Sequence, residues 1–195
     1  MRTLLLLALL AGKFWEEKDP ADWSAEEMDA FFRSSPWVRE ASDSGRTLGT
    51  GGKPVAAFLA TAEPVRAAEG ERRRRTVRRG TSDGMFEEYL NYLLQNGKNV
   101  VILAVPVERN NAFSEGGELA TMEKRSEMRA GGKAYPLLTF FPPSSSDPHL
   151  RLAFARPPNP GKKLDFTFYV PGLPSPYRMV DFQVKDLVWK GAPSF

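Results

Sequence analysis

Cysteine is absent from the 195 residues, which excludes a disulfide framework, thiolate metal sites, a thiol nucleophile and thiol redox chemistry. Histidine is nearly absent too, with His149 the single example. Any metal ion would therefore have to rest on carboxylates, as calcium or magnesium does. The acidic groups Glu16-Glu17-Asp19-Asp22, Glu26-Glu27-Asp29 and Glu87-Glu88 lack the spaced Asp/Asn pattern with glycine of a calcium loop, and suit the positive ends of helices better. No Gly-x-Ser-x-Gly elbow occurs. Gly49-Thr50-Gly51-Gly52-Lys53-Pro54 lacks phosphate-loop spacing and runs into proline, so it reads as a turn. No apolar run reaches the ~20 residues of a membrane span. The net charge of +3 is too small to imply a polyanion partner by itself.

The basic character is local. Arg72, Arg73, Arg74, Arg75, Arg78 and Arg79 fall within nine residues, and without these six the chain carries a net −3. Guanidinium groups pair bidentately with phosphates, so the block is a candidate polyanion- or nucleic-acid-binding site. It contains no stacking aromatics, which favours a solvated strand or loop, with a short strand around Thr76-Val77-Arg78.

Met1-Arg2 followed by the apolar Thr3 to Ala11 has the form of a secretory leader. Lys13 stands where a lipidated cysteine would be, which excludes lipid anchoring at that site. The expectation is a periplasmic or extracellular protein with a signal segment over 1–12, although Leu10 makes a poor cleavage context. The competing expectation is an apolar first element packed on the core.

Ser24 and Glu27 form a capping box, with Trp23 and Met28 at the spacing of a hydrophobic staple, so a helix is predicted over about 24–34 and stops before Pro36. Trp23 and Trp37 flank it and read as core. With Trp15 and Trp189 they would make a carbohydrate or peptide platform only if exposed. A second helix is predicted over 83–96 from Met85, Phe86, Tyr89, Leu90, Leu93 and Leu94, with Gly97 as its stop. Residues 99–107 read as a strand buried on both faces. Residues 118–129 read as a surface helix or a hairpin arm. Period-two alternation predicts strands near 136–141, 150–156, 164–170 and 178–189, with a bulge or turn near Lys185-Asp186. Residues 42–70 read as loop, with Val55 to Leu59 as its one apolar stretch.

Those elements predict an α+β fold: an antiparallel or mixed β-sheet with a short N-terminal helix and one longer amphipathic helix, or alternatively a β-sandwich with appended helices. The expected organisation is a helical segment over 13–41, a linker with the arginine block over 42–80, and a main domain over 81–195.

Trp23-Ser24-x-x-Glu27, then Ser35-Pro36-Trp37, and the tail Phe182-x-Val184-Lys185-Asp186-x-Val188-Trp189-x-Gly191 resemble an uncharacterised family of exported bacterial proteins of acidobacterial type. The resemblance covers the start and roughly the last 100 residues, and it implies a cleaved leader and an envelope setting but no chemistry.

Ser144-Ser145-Ser146-Asp147-Pro148-His149 holds triad residue types. Triads converge from separate segments, whereas such residues gather in turns for backbone reasons, so a turn is favoured. The expectation is a non-catalytic binding or assembly protein without a cofactor, its partner an envelope protein or a polyanion. Polyanion binding through Arg72–Arg79 and a carboxylate-based hydrolase are the alternatives.

Overall fold

The computed structural model describes residues 13–43, 54–76 and 83–195. The leader over 1–12, the glycine turn at 49–52, and Arg78 and Arg79 lie outside them.

The elements run α1 (Phe14–Glu17), α2 (Ala25–Ser34), β1 (Val38–Asp43), β2 (Val55–Leu59), α3 (Glu63–Thr76), α4 (Gly84–Asn96), β3 (Val100–Pro106), α5 (Gly116–Arg125), β4 (Glu127–Ala130), β5 (Lys133–Phe141), β6 (His149–Ala155), β7 (Lys163–Tyr169), β8 (Tyr177–Gln183), β9 (Val188–Trp189) and β10 (Ala192–Pro193). Strands β1 to β8 close into one barrel in the order β1-β2-β3-β6-β5-β4-β7-β8, every described pairing antiparallel. This overturns both the open α+β sheet and the β-sandwich. The ring is completed by β1 against β8, where Ser42 faces Met179 and Asp43 faces Arg178. Closure gives each of these eight strands two neighbours, so the barrel has no free edge.

Period two does the sorting. Val101, Leu103, Leu152, Phe154, Leu164, Phe166, Phe168, Val180 and Phe182 are all buried and share one face through the registers β3–β6 and β7–β8. Phe154, Phe166 and Phe182 meet edge-on at 5.5 and 5.9 Å. The barrel is thus filled by side chains, as small barrels are. On β8 the alternate residues Met179 and Asp181 are exposed. On β3 and β6 the outward residues Ile102, Ala104, Arg151 and Ala153 are buried as well. Helices α3 and α4 cover that wall, with Tyr89 of α4 and Glu69 of α3 both reaching Arg151.

The helix at Ser24 forms with its capping box closed in both directions, and Trp23 and Met28 are buried as the staple requires. Trp15, Trp23 and Trp37 surround Phe31, and Trp189 packs on Trp37. Trp37 Nε1 donates to the Ser194 carbonyl at 2.7 Å, tying the start of the chain to its tail. The tryptophans are therefore cluster members, not an open platform.

Some local expectations change and others hold. Val55–Leu59, inside the stretch read as loop, is a barrel strand. Arg72 to Arg75 lie in the last turns of a helix that runs through Thr76, where their charge suits the negative pole, and the strand expected around Thr76-Val77-Arg78 falls largely outside the described residues. After β8 the chain makes a 3-10 turn at Val184–Asp186 and enters the β9–β10 hairpin, which explains the shift in alternation there. Residues 116–130 turn out to be helix α5 followed by strand β4. The β4–β5 hairpin turns on Gly131 and Gly132, both at positive φ (55° and 79°), as a two-residue primed turn requires. Gly131 is doubly constrained, since an added Cβ would stand 2.3 Å from the Asn159 carbonyl oxygen.

Candidate functional site

Arg151 is the centre of the helix-covered wall. It points outward from β6, opposite Ala104 of β3 and Phe141 of β5, and is almost fully buried, at 2% exposure. A buried guanidinium needs partners on all its donors. Its Nε donates to Asp147 Oδ2 at 2.7 Å, Nη2 to Glu69 Oε1 at 2.7 Å, and Nη1 to the Tyr89 hydroxyl at 3.1 Å. Its carbon Cζ also lies 4.2 Å from the Tyr89 ring centroid. Burial alone would lower the Arg151 pKa, but Glu69, Tyr89 and Asp147 outweigh it and hold the group well above its ordinary value. Burial would raise the Asp147 carboxyl, yet His149 and Arg151 bring it below the usual carboxylate range. Burial pushes the Tyr89 hydroxyl up.

The Ser144–His149 segment is the loop that delivers Asp147. Ser144 Oγ accepts from the Asp147 amide at 3.1 Å, Ser145 Oγ donates to Asp83 at 2.9 Å, and the Ser146 amide donates to the same carboxylate at 3.0 Å. Asp83 in turn caps α4 by accepting from the Phe86 amide. Burial works against ionisation of Asp83, but these hydrogen bonds together hold it well below the usual range. The loop and α4 are therefore pinned together. His149 Nδ1 lies 2.6 Å from Asp147 Oδ1, and its ring meets Phe58 edge-on at 5.1 Å. Among the described residues, none of the three serines is hydrogen-bonded to His149.

The arginine block is spread over separate contacts. Arg74 and Arg75 both donate to Glu71, at 2.7 and 2.6 Å, and their hydrogen bonds hold that carboxyl down at about 2. Arg75 also caps the carbonyls of Pro20 and Ala21. Arg72 lies over Phe32 and Arg73 over Phe86, at 5.4 and 3.5 Å. Arg74 keeps the most open side chain of the two that hold Glu71.

Beside this cluster a groove of about 1540 Å³ runs between α3, α4 and the barrel wall. Apolar side chains of α4 form one side: Phe86, Leu90, Leu93 and Leu94. Gly70 of α3 lies on the other, where an added Cβ would meet nothing within 4 Å. His149 and Arg151 lie at the base. Arg156 closes the far end, donating to the Val100 carbonyl at 3.0 Å and resting 5.1 Å from the centroid of the Phe195 ring. No group of three or more potential metal-ligating side chains occurs among the described residues.

Sequence reasoning singled out His149 and the arginines but missed Arg151, Glu69, Asp147 and Tyr89 as one unit. The available signal was an arginine at a position of β6 where alternation makes one face core and the helices cover the other. Comparison with protein-family models, with curated proteins and with solved structures finds no match.

Proposed function

We propose that the protein is a non-catalytic binding protein, exported to the periplasm or beyond and of the acidobacterial type that its termini resemble, with the groove between α3, α4 and the barrel as its ligand site. The observation that carries this reading is the pairing of an apolar, solvent-reachable groove with an ionic floor in which Arg151, Asp147 and Glu69 are committed to one another. Arg151 is fully paired, and Asp147 holds both Arg151 and His149. A hydrolytic site of the triad kind needs a nucleophile hydrogen-bonded to its base, and among the described residues none of Ser144, Ser145 and Ser146 is hydrogen-bonded to His149. Here the polar groups serve to fix α3 and α4 at a constant separation, which is what a preformed ligand site needs.

Filling the groove tests the reading. An added Cβ at Gly70 meets nothing within 4 Å, so Gly70→Trp can start from this position and direct an indole at the groove. The intact protein should bind the neutral apolar dye Nile red saturably, and G70W should weaken that binding about tenfold or more while retaining the folded circular dichroism spectrum. Equal dye binding by both forms, or substrate turnover abolished by Asp147→Asn, would refute the proposal. Export is checked separately by the N-terminal mass of protein recovered from a bacterial periplasm.

Polyanion binding along the arginine helix is the competing reading. The exposed Arg74 supports it, while the internal contacts of Arg72, Arg73 and Arg75 leave less of the block free for it.

A further inference from the structure

The charges on the groove walls are unequal. Six cationic side chains, Arg66, Arg72, Arg73, Lys98, Arg151 and Arg156, line it against three carboxylates, those of Glu63, Glu69 and Asp147. Two of those carboxylates are spent on Arg151. The excess is therefore positive, and it is divided between the groove's two ends.

The ends differ. Near the start of α4, Arg73 lies over Phe86 and donates to the Ser146 carbonyl, with one Nη buried and unpartnered, but the carboxylates of Glu69 and Asp147 are close by on Arg151. Near the end of α4, Arg156 is half-buried and its hydrogen bonds go only to main-chain oxygens, those of Val100 and Gly97. Its Nε is buried with no hydrogen-bond partner, and among the described residues it forms no ion pair. Burial lowers its pKa with no neighbouring charge acting to restore it. A half-buried cation without a counter-charge is costly unless an anion arrives. Leading away from it, Leu90 and Leu94 on successive turns of α4 stay 38% and 82% exposed. From Gly97 back to Phe86 the helix provides a wall of about 16 Å, at ~1.5 Å per residue.

A lone, part-desolvated guanidinium at one end of a long apolar wall is complementary to an acid group on a hydrocarbon chain. We propose, resting on the groove being the ligand site, that its ligand is a free single-chain carboxylate of fatty-acid type, with the head group on the groove-facing edge of the Arg156 guanidinium and the chain along Leu93, Leu90 and Phe86. Arg156 offers the carboxylate a guanidinium that no carboxylate among the described residues neutralises, and Lys98 adds a second positive charge to the groove lining. The leucines supply the apolar contact, which is stabilising per methylene and tolerant of chain length.

The test is calorimetric titration of the full chain with dodecanoate below its micelle concentration, against dodecyltrimethylammonium, whose chain matches and whose head is cationic. Dodecanoate should bind at least about tenfold tighter, the factor expected of one charge-assisted hydrogen bond. Arg156→Gln should remove that preference and leave Nile red binding in place. Leu94→Glu changes an exposed position, cannot disturb the core, and should weaken dodecanoate through charge repulsion in the same direction. Equal affinity for the two amphiphiles with Nile red still bound would overturn the ligand class while sparing the groove. Loss of Nile red binding as well would overturn the site itself. Binding only to vesicles containing anionic lipid, or dimerisation that excludes the dye, would each show that a membrane or a second copy occupies the groove, and either result overturns the proposal.

Discussion

Strand β6 belongs to two different environments. Its inward residues Leu150, Leu152 and Phe154 join the barrel interior, where the residues facing them on β3, Val105, Leu103 and Val101, are apolar and the contacts are dispersion and ring edges. One residue along, His149 and Arg151 point the other way, into a region under α3 and α4 where charge and hydrogen bonding decide the geometry. Burial is equally complete on both sides, since Leu152 and Arg151 are 0% and 2% exposed. What differs is directionality. An apolar interior tolerates exchange of one shape for another of similar volume, whereas an ionic cluster tolerates only changes that keep every charge matched. The barrel can therefore be a general scaffold, while the helix-covered wall is the part whose composition specifies one arrangement, and the groove lies on that side.

The largest effect should come from breaking the two sides separately. Arg151→Ala should cost about 3–5 kcal/mol, because it strands the buried Asp147 carboxylate and unpairs Glu69 and Tyr89. Leu152→Ala should cost a similar ~2–5 kcal/mol by opening a cavity. The comparison is sharpened by rescue. Combining Arg151→Met with Asp147→Asn and Glu69→Gln removes all three charges at once and should recover most of the loss, although no charge change elsewhere can rescue Leu152→Ala. Urea unfolding at constant m value measures both. Additive losses across the three polar substitutions would show that the cluster is not one unit.

Acid separates the two sides next. Asp147 and Glu71 have folded pKa values below their unfolded ones, Glu71 at about 2. A depressed carboxylate contributes stability that is fully present above its unfolded pKa of about 4 and is lost as pH falls through its folded value. The intact protein should therefore lose stability between roughly pH 4.5 and 2. Glu71→Gln should flatten that slope, and Leu152→Ala should leave the slope unchanged while lowering the whole curve. Thermal midpoints collected every half pH unit distinguish the cases. A slope unaffected by Glu71→Gln would mean that the bonds from Arg74 and Arg75 to that carboxylate do not persist in solution.

The two regions were also unequally legible in sequence. Apolar periodicity over β7 and β8 and the Ser24–Glu27 box are local signals, and the strands and helix they predict are present. Barrel closure is not local. It depends on a short pairing between β1 and β8, at opposite ends of the chain, and β1 reads VREASD with no clean alternation. Helix α3 was hidden for a related reason: its buried face is made of Val65, Ala68 and Glu71, too small and too polar to stand out among arginines. Arg151 was illegible because its partners come from α3, α4 and a loop, so nothing within its own strand marks it as the centre of a site.

Gly70 offers the smallest effect and the finest distinction between scaffold and site. It occupies the interior of α3, where glycine costs about 0.5–1 kcal/mol relative to alanine because the unfolded chain has more freedom to lose. Its helical backbone is available to any residue, and an added Cβ would meet nothing within 4 Å. Fold stability alone therefore gives no reason for a glycine here, and Gly70→Ala should raise stability by up to about 1 kcal/mol. Because Gly70 lines the groove, the same methyl group should narrow it slightly and leave Nile red affinity within about twofold, whereas G70W should close it. A series of Ala, Leu and Trp at this position, scored for both unfolding midpoint and dye affinity, should show the two quantities diverging as the side chain grows. If stability fell already at alanine, α3 would pack more closely on its neighbours in solution than the open groove requires, and the separation between a tolerant scaffold and a preformed site would fail at the wall that defines it.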